Sequence, residues 1–159
     1  MPIPPSPPVV NPTIISPAEV NTLAFLTPIT ESTILTEIIA AAESKFLVPV
    51  ITHPVYDDIF LNPATYTWLV ALYIKPYLAF CTKYLMFTQY LTESTILTLP
   101  DGTKSTILAV PDKQIAEIKT ELLMIIKAKR QALFDHLDSE TYPLYIEPAP
   151  VRLAGFIID

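Results

Sequence analysis

Seventeen prolines set against two glycines dictate where regular structure can run in this chain. Proline fixes φ and offers no backbone N–H, so it opens a helix, ends one or forbids one. Six of the prolines fall within residues 1–15, which rules out a helix there and leaves an extended, polyproline-like arm. Pro143, Pro148 and Pro150 do the same for residues 138–159. Between these ends the prolines are sparse, and the intervals carry helical periodicity.

Ser16-Pro17-Ala18-Glu19 opens the first interval with a capping serine, a proline at the first helical position and a glutamate for a capping box. A helix over about 17–26, ended by Pro28, is expected. Thr30 caps a second, over 31–47, on the spacing of Ile34, Ile38, Ala41 or Ala42, and Phe46. Its run Ala40-Ala41-Ala42 offers a thin face for close approach, and Glu31, Glu37 and Glu43 are expected on the wet side. Pro49 and Pro54 bracket a link, His53 stands outside the short helical turn that follows, and Asn62-Pro63 caps and opens the longest helix, about 63–91. That helix is apolar nearly all round, hence central, and Pro76 bends it. Its tyrosines at 66, 73, 77, 84 and 90 can bury their rings while their hydroxyls find polar partners.

Two β-branched runs flank Pro100-Asp101-Gly102-Thr103, a hairpin signal over about 94–110. The heptamer Thr-Glu-Ser-Thr-Ile-Leu-Thr occurs at 30–36 and again at 92–98; its flanks assign the first copy to helix and the second to turn plus strand. A last helix, 112–137, is capped by Asp112. Its stripe is Ile115, Ile118, Leu122, Ile125 or Ile126, Leu133 and Leu137, with Lys113, Glu117, Glu121 and Lys129 facing water. The fold expected is mainly α: a small helical bundle over 16–137 with one inserted β-hairpin, a proline-rich arm over 1–15 and an extended tail over 138–159.

Composition narrows the function. Of 159 residues, 51% are hydrophobic and 16% charged, where a lone globular domain carries about a quarter charged. Some apolar surface is therefore expected to meet other chains. A net charge of −6 argues against gripping nucleic acid by its phosphates. The first basic side chain is Lys45, so no secretory leader is expected. Residues 64–91 are apolar enough to mimic a membrane span. They contain Lys75 and Lys83, each costing about 2.5–3.5 kcal/mol at a bilayer centre, so a buried bundle helix and no membrane are expected.

No constellation of catalytic residues stands out. Cys81 is alone, in an apolar run, and reads as a buried thiol. His53 and Asp57 would need one helix to share a metal, and His136 suits a helix C-terminus. Two glycines cannot make a phosphate loop. No enzyme activity, cofactor or metal is expected.

Three stretches carry a resemblance: Ile38-Ile39-Ala40-Ala41-Ala42-Glu43; Leu47-Val48-Pro49-Val50-Ile51 followed by Val55-Tyr56-Asp57-Asp58-Ile59; and Ile74-Lys75-Pro76-Tyr77-Leu78-Ala79. In this order, before a hairpin and a last helix, they resemble the small head–tail connector (adaptor) proteins of tailed bacteriophages, with the flavour of the portal-ring proteins of crAss-like phages. The chain departs from that pattern at Thr52-His53-Pro54, where the family tends to carry a glycine. The resemblance implies a virion protein, built in the host cytoplasm and forming a homo-oligomeric ring, usually of twelve copies. The ring would dock under the portal protein, contact the tail or further neck rings, and let genomic DNA pass without sequence-specific binding.

Partner-binding residues expected on this reading are Leu97, Leu99, Asp101 and Gly102 in the hairpin arm, and Val151, Leu153, Phe156, Ile157 and Ile158 in the tail. The tail would add a strand to a neighbour's sheet. The competing expectation is a cytoplasmic helical adaptor that binds a peptide or regulator in the groove beside the long helix.

Overall fold

A computed structural model describes residues 12–27, 29, 34–90, 95–98, 104–107 and 112–146. The fold is mainly helical. Helix α1 is Pro17–Ala24, α2 is Thr36–Ile51, α3 is His53–Leu61, α4 is the composite helix 63–90 and α5 is Asp112–Ser139. Helix α4 is central, with α1, α2 and α5 all packed on it. Among the described residues, Thr95–Thr98 pairs antiparallel with Lys104–Ile107, Thr95 opposite Ile107.

Helix α1 begins as its sequence dictates. The Glu19 N–H donates to Ser16 Oγ, and the Ser16 N–H donates back to the Glu19 carboxylate at 2.9 Å. It ends at Ala24, earlier than Pro28 would require, because Phe25 turns extended. The buried Asn21 holds the chain beyond it. Its side-chain amide donates to the Ile29 carbonyl at 2.8 Å, and its oxygen accepts from the Ile29 N–H at 2.9 Å.

Helix α2 starts at Thr36, the last residue of the first heptamer copy; Leu35 before it is extended. The expected Thr30 cap lies outside the described residues. The Ile-Leu part of the first copy is therefore not helical, in keeping with the preference of β-branched neighbours for extended backbone. Of the alanine run only Ala42 is buried; Ala40 and Ala41 are exposed.

The helix then runs through Pro49 instead of ending in a link. A π-turn over Glu43–Leu47 makes this possible, with the Val48 N–H donating five residues back to the Glu43 carbonyl. The same device recurs in α4. A π-turn over Val70–Ile74 leads the Lys75 N–H back to the Val70 carbonyl, just before Pro76. In an α-turn each proline ring would press on the carbonyl four residues earlier; the wider turn moves that carbonyl aside.

Helices α2 and α3 meet at 109°. The joint is Thr52, at φ 72° and ψ 155°. His53 is thus the first residue of α3, not outside it. Asn62 makes no side-chain cap to the helix it precedes; its amide instead donates to Asp58 at 2.6 Å. Among the described residues, no single helix is long and apolar enough to cross a membrane.

Candidate functional site: a neutral groove and an apolar flank

The central helix grips α1 at both ends. Lys75 pairs with the Glu19 carboxylate in the first turn of α1, and Lys83 Nζ donates to the Ala24 carbonyl at its end, at 2.8 Å. Their partners on α1, Glu19 and Ala24, follow in the same order along the chain, so the two helices lie side by side in the same direction. Burial works against the charge on Glu19. The bonds from Lys75 and Ser16 outweigh it and hold the carboxyl below the usual carboxylate range. Burial also lowers the pKa of the Lys83 ammonium, which sits 4.8 Å from the centre of the Phe25 ring.

Beside this clamp lie two hollows of about 340 and 410 Å³ that share Ala71 and Lys75. One is walled by Thr13, Ile14, Phe60 and Val70, the other by Ala18, Thr22 and Leu23. Lys75 is the only cation in the linings and is paired with Glu19, so the groove is close to neutral. Next to it α4 presents Trp68, 72% exposed, and Leu72, 56% exposed, one turn apart, with the exposed Leu61 just upstream. Helix α5 exposes a second apolar group, Leu123, Met124 and Ile125.

The segment entering the groove wall is anchored by Glu43, which is buried (2% exposed) rather than on the wet side. Its carboxylate accepts from the Ile14 N–H and from the Tyr56 hydroxyl, each at 2.6 Å. Burial raises the Glu43 pKa despite these bonds. The tyrosine's own pKa is raised by its burial and by the bond to Glu43. The spacing Ile39, Glu43, Leu47, all fully buried, held this signal: steps of four place the glutamate on the core face.

At the far end of α5, His136 stacks on Tyr73 with ring centres 4.2 Å apart and shares a 2.8 Å hydrogen bond with Tyr142. Tyr142 in turn stacks on Tyr66, whose hydroxyl donates to Asp58 at 2.7 Å. Burial and that carboxylate push the Tyr66 phenol up to about 12. Residues just past α5 therefore fold back on the body. Lys129, expected in water, stands over the Phe80 ring at 5.1 Å. Cys81 is buried and its thiol is pushed up to about 12 by that burial. No cluster of three or more potential metal ligands occurs among the described residues.

Of the residues expected to bind partners, Leu97 lies in the paired segment Thr95–Thr98. Leu99, Asp101, Gly102, Val151, Leu153, Phe156, Ile157 and Ile158 lie outside the described residues. The exposed pair Trp68 and Leu72 was not anticipated, because a helix apolar on every side gives no pattern that separates its outer face. Compared with known proteins, the chain matches no family model, no curated protein and no solved structure.

Proposed function

We propose that this chain is a structural, non-catalytic assembly protein that forms a ring with copies of itself, in the manner of a phage head–tail connector beneath the portal. The observation that carries the reading is the exposed pair Trp68 and Leu72, one turn apart on α4, with Leu61 exposed at the end of α3, on a chain of net charge −6. Copies of like net charge repel, and an uncharged apolar patch lowers that cost where they meet. Its occupant is the neighbouring copy. A ring interface is heterologous, so a different face meets this flank, and α5, where Leu123 and Met124 are exposed, is the candidate. The residues around Asp101-Gly102 and those from Val151 to Ile158, outside the described residues, are the proposed contacts to portal and tail partners.

Light scattering and negative-stain imaging of the chain, alone and with a portal ring, test this. A closed ring, of twelve copies by the family resemblance, is expected. A 17.7 kDa monomer under both conditions would overturn it. Removing residues 148–159 should leave the helical fold intact and abolish incorporation into particles. The two hollows beside α4 favour a second reading, a helical adaptor holding a peptide. That reading expects a monomer or dimer and no ring.

A further inference from the structure

We infer that copies of this chain meet with the basic side of α5 on one seated against the Asp57–Leu61 side of α3 on the next. This deepens the ring reading and rests on it. Helix α5 has two sides of opposite charge. Lys119, Leu123, Lys127 and Arg130 follow at steps of four, four and three, which sets them along one side. Glu117, Glu121, Met124, Ala128 and Asp135 follow at steps of three, four or seven and share another. Leu123 and Met124 are successive residues, so they point about 100° apart at 3.6 residues per turn. Around the exposed Leu123, Lys127 is exposed and Lys119 and Arg130 are half-buried. None of these three cations has a carboxylate three or four residues away on its helix, the spacing at which helical ion pairs form. Among the described residues the ion pair joins Lys75 to Glu19, so no described carboxylate of the same copy pairs with them.

Helix α3 carries the complement. Asp57 and Leu61 are one turn apart and both exposed, Leu61 at 77%. The residues three and four away from Asp57 are His53, Pro54, Phe60 and Leu61, so it too lacks a lysine or arginine on its own helix. Asp58 beside it is already engaged by Asn62 and Tyr66. One face thus holds an exposed leucine one turn from an unpaired carboxylate. The other holds an exposed leucine one turn from an unpaired ammonium. Laid antiparallel, the two helices set Leu61 against Leu123 and Asp57 against Lys127. The Glu117–Glu121 side of α5 would set carboxylate against carboxylate instead, which weakens an interface. The two faces differ, so the contact is heterologous and repeats from copy to copy around a ring.

The test compares ring formation by light scattering in the full chain, alone and with a portal ring. Asp57→Lys and Glu121→Lys each replace one negative charge by one positive, moving the net charge from −6 to −4. Any general easing of repulsion is therefore the same in both. Asp57→Lys is expected to raise the concentration at which rings form by about tenfold or more, and Glu121→Lys is expected not to raise it. Adding Lys127→Glu to Asp57→Lys restores the parental net charge with the pair reversed, and is expected to bring the threshold back near the parent's. All three positions are exposed, and the rescue excludes misfolding as the cause of the loss. A parental ring indifferent to Asp57→Lys would overturn this contact alone. So would a loss that Lys127→Glu fails to restore, or an equal loss in Glu121→Lys. A parent that stays monomeric under both conditions would sink the ring itself.

Discussion

Thr52 carries the clearest residue-scale tension in the molecule. Its φ of 72° and ψ of 155° belong to a region used essentially by glycine. Its hydroxyl is buried with no hydrogen-bond partner among the described residues. Such a conformation costs about 1–3 kcal/mol for a residue with a Cβ, while glycine adds about 0.5–1 kcal/mol of unfolded-chain entropy. The strain is the larger quantity. Thr52→Gly should therefore stabilise the fold by about 1 kcal/mol, seen as a higher urea midpoint at unchanged slope; a lower midpoint would refute the strain argument. Nothing in Thr52-His53-Pro54 itself specifies a positive φ. Glu43 makes a second residue-scale case. Burial raises its folded-state pKa above the ordinary value of 4.5. The folded state then binds more protons than the unfolded one between the two values, so stability falls as pH rises through that window. Glu43→Gln keeps the shape and cannot ionise, so urea titrations of the variant should lose that fall. A slope equal to the parent's would place the titration elsewhere.

At the scale of elements, the helix starts at Pro17, Pro63 and Asp112 were legible, whereas the start of α2 and the continuations of the helices were not. The capping box of Ser16 and Glu19 is local, and local chemistry reads directly from sequence. Pro49 misled because a proline breaks an α-turn, whereas here it follows a π-turn, and a hydrogen bond to the fifth residue back leaves no mark on composition. Pro63 does open the helix, but Asn62, expected to cap it, spends its amide on Asp58 at the end of the preceding helix. The same holds for the two-lysine clamp on α1. Lys75 and Lys83 looked like obstacles to a membrane span, and each proved to have a partner 56 or 59 residues away. The clamp makes a definite prediction. Lys83→Met keeps the apolar stem against Phe25 but leaves the Ala24 carbonyl without its donor. A hydrogen bond from a charged donor contributes about 1.5–3 kcal/mol. The variant should lose about 1–2 kcal/mol of stability, and amide exchange should accelerate in α1 before it does in α5. Uniform acceleration across both helices would show that Lys83 supports the whole core and not the end of α1.

For the whole molecule, the proposed ring has to bring together copies that each carry six excess negative charges. At physiological salt the screening length is about 8 Å, so charges on facing subunits still repel across a tight contact. Assembly has to draw on apolar area instead, and burial of one large side chain is worth about 1.5–3 kcal/mol. In a closed ring every subunit contributes the same flank once, so a loss at Trp68 is repeated at each interface around the circle. The monomer has little stake in that side chain, since the indole is 72% exposed, and exposed positions away from special contacts change stability by about 0.5 kcal/mol or less. Trp68→Glu should accordingly leave the helical circular dichroism and the urea midpoint near those of the parent. It should also abolish the ring in light scattering, because it deletes the anchor and places a carboxylate in an interface between anionic subunits. Trp68→Phe should retain assembly with a raised critical concentration. A Trp68→Glu chain that still closes into rings at parental concentrations would move the subunit contact off α4 altogether.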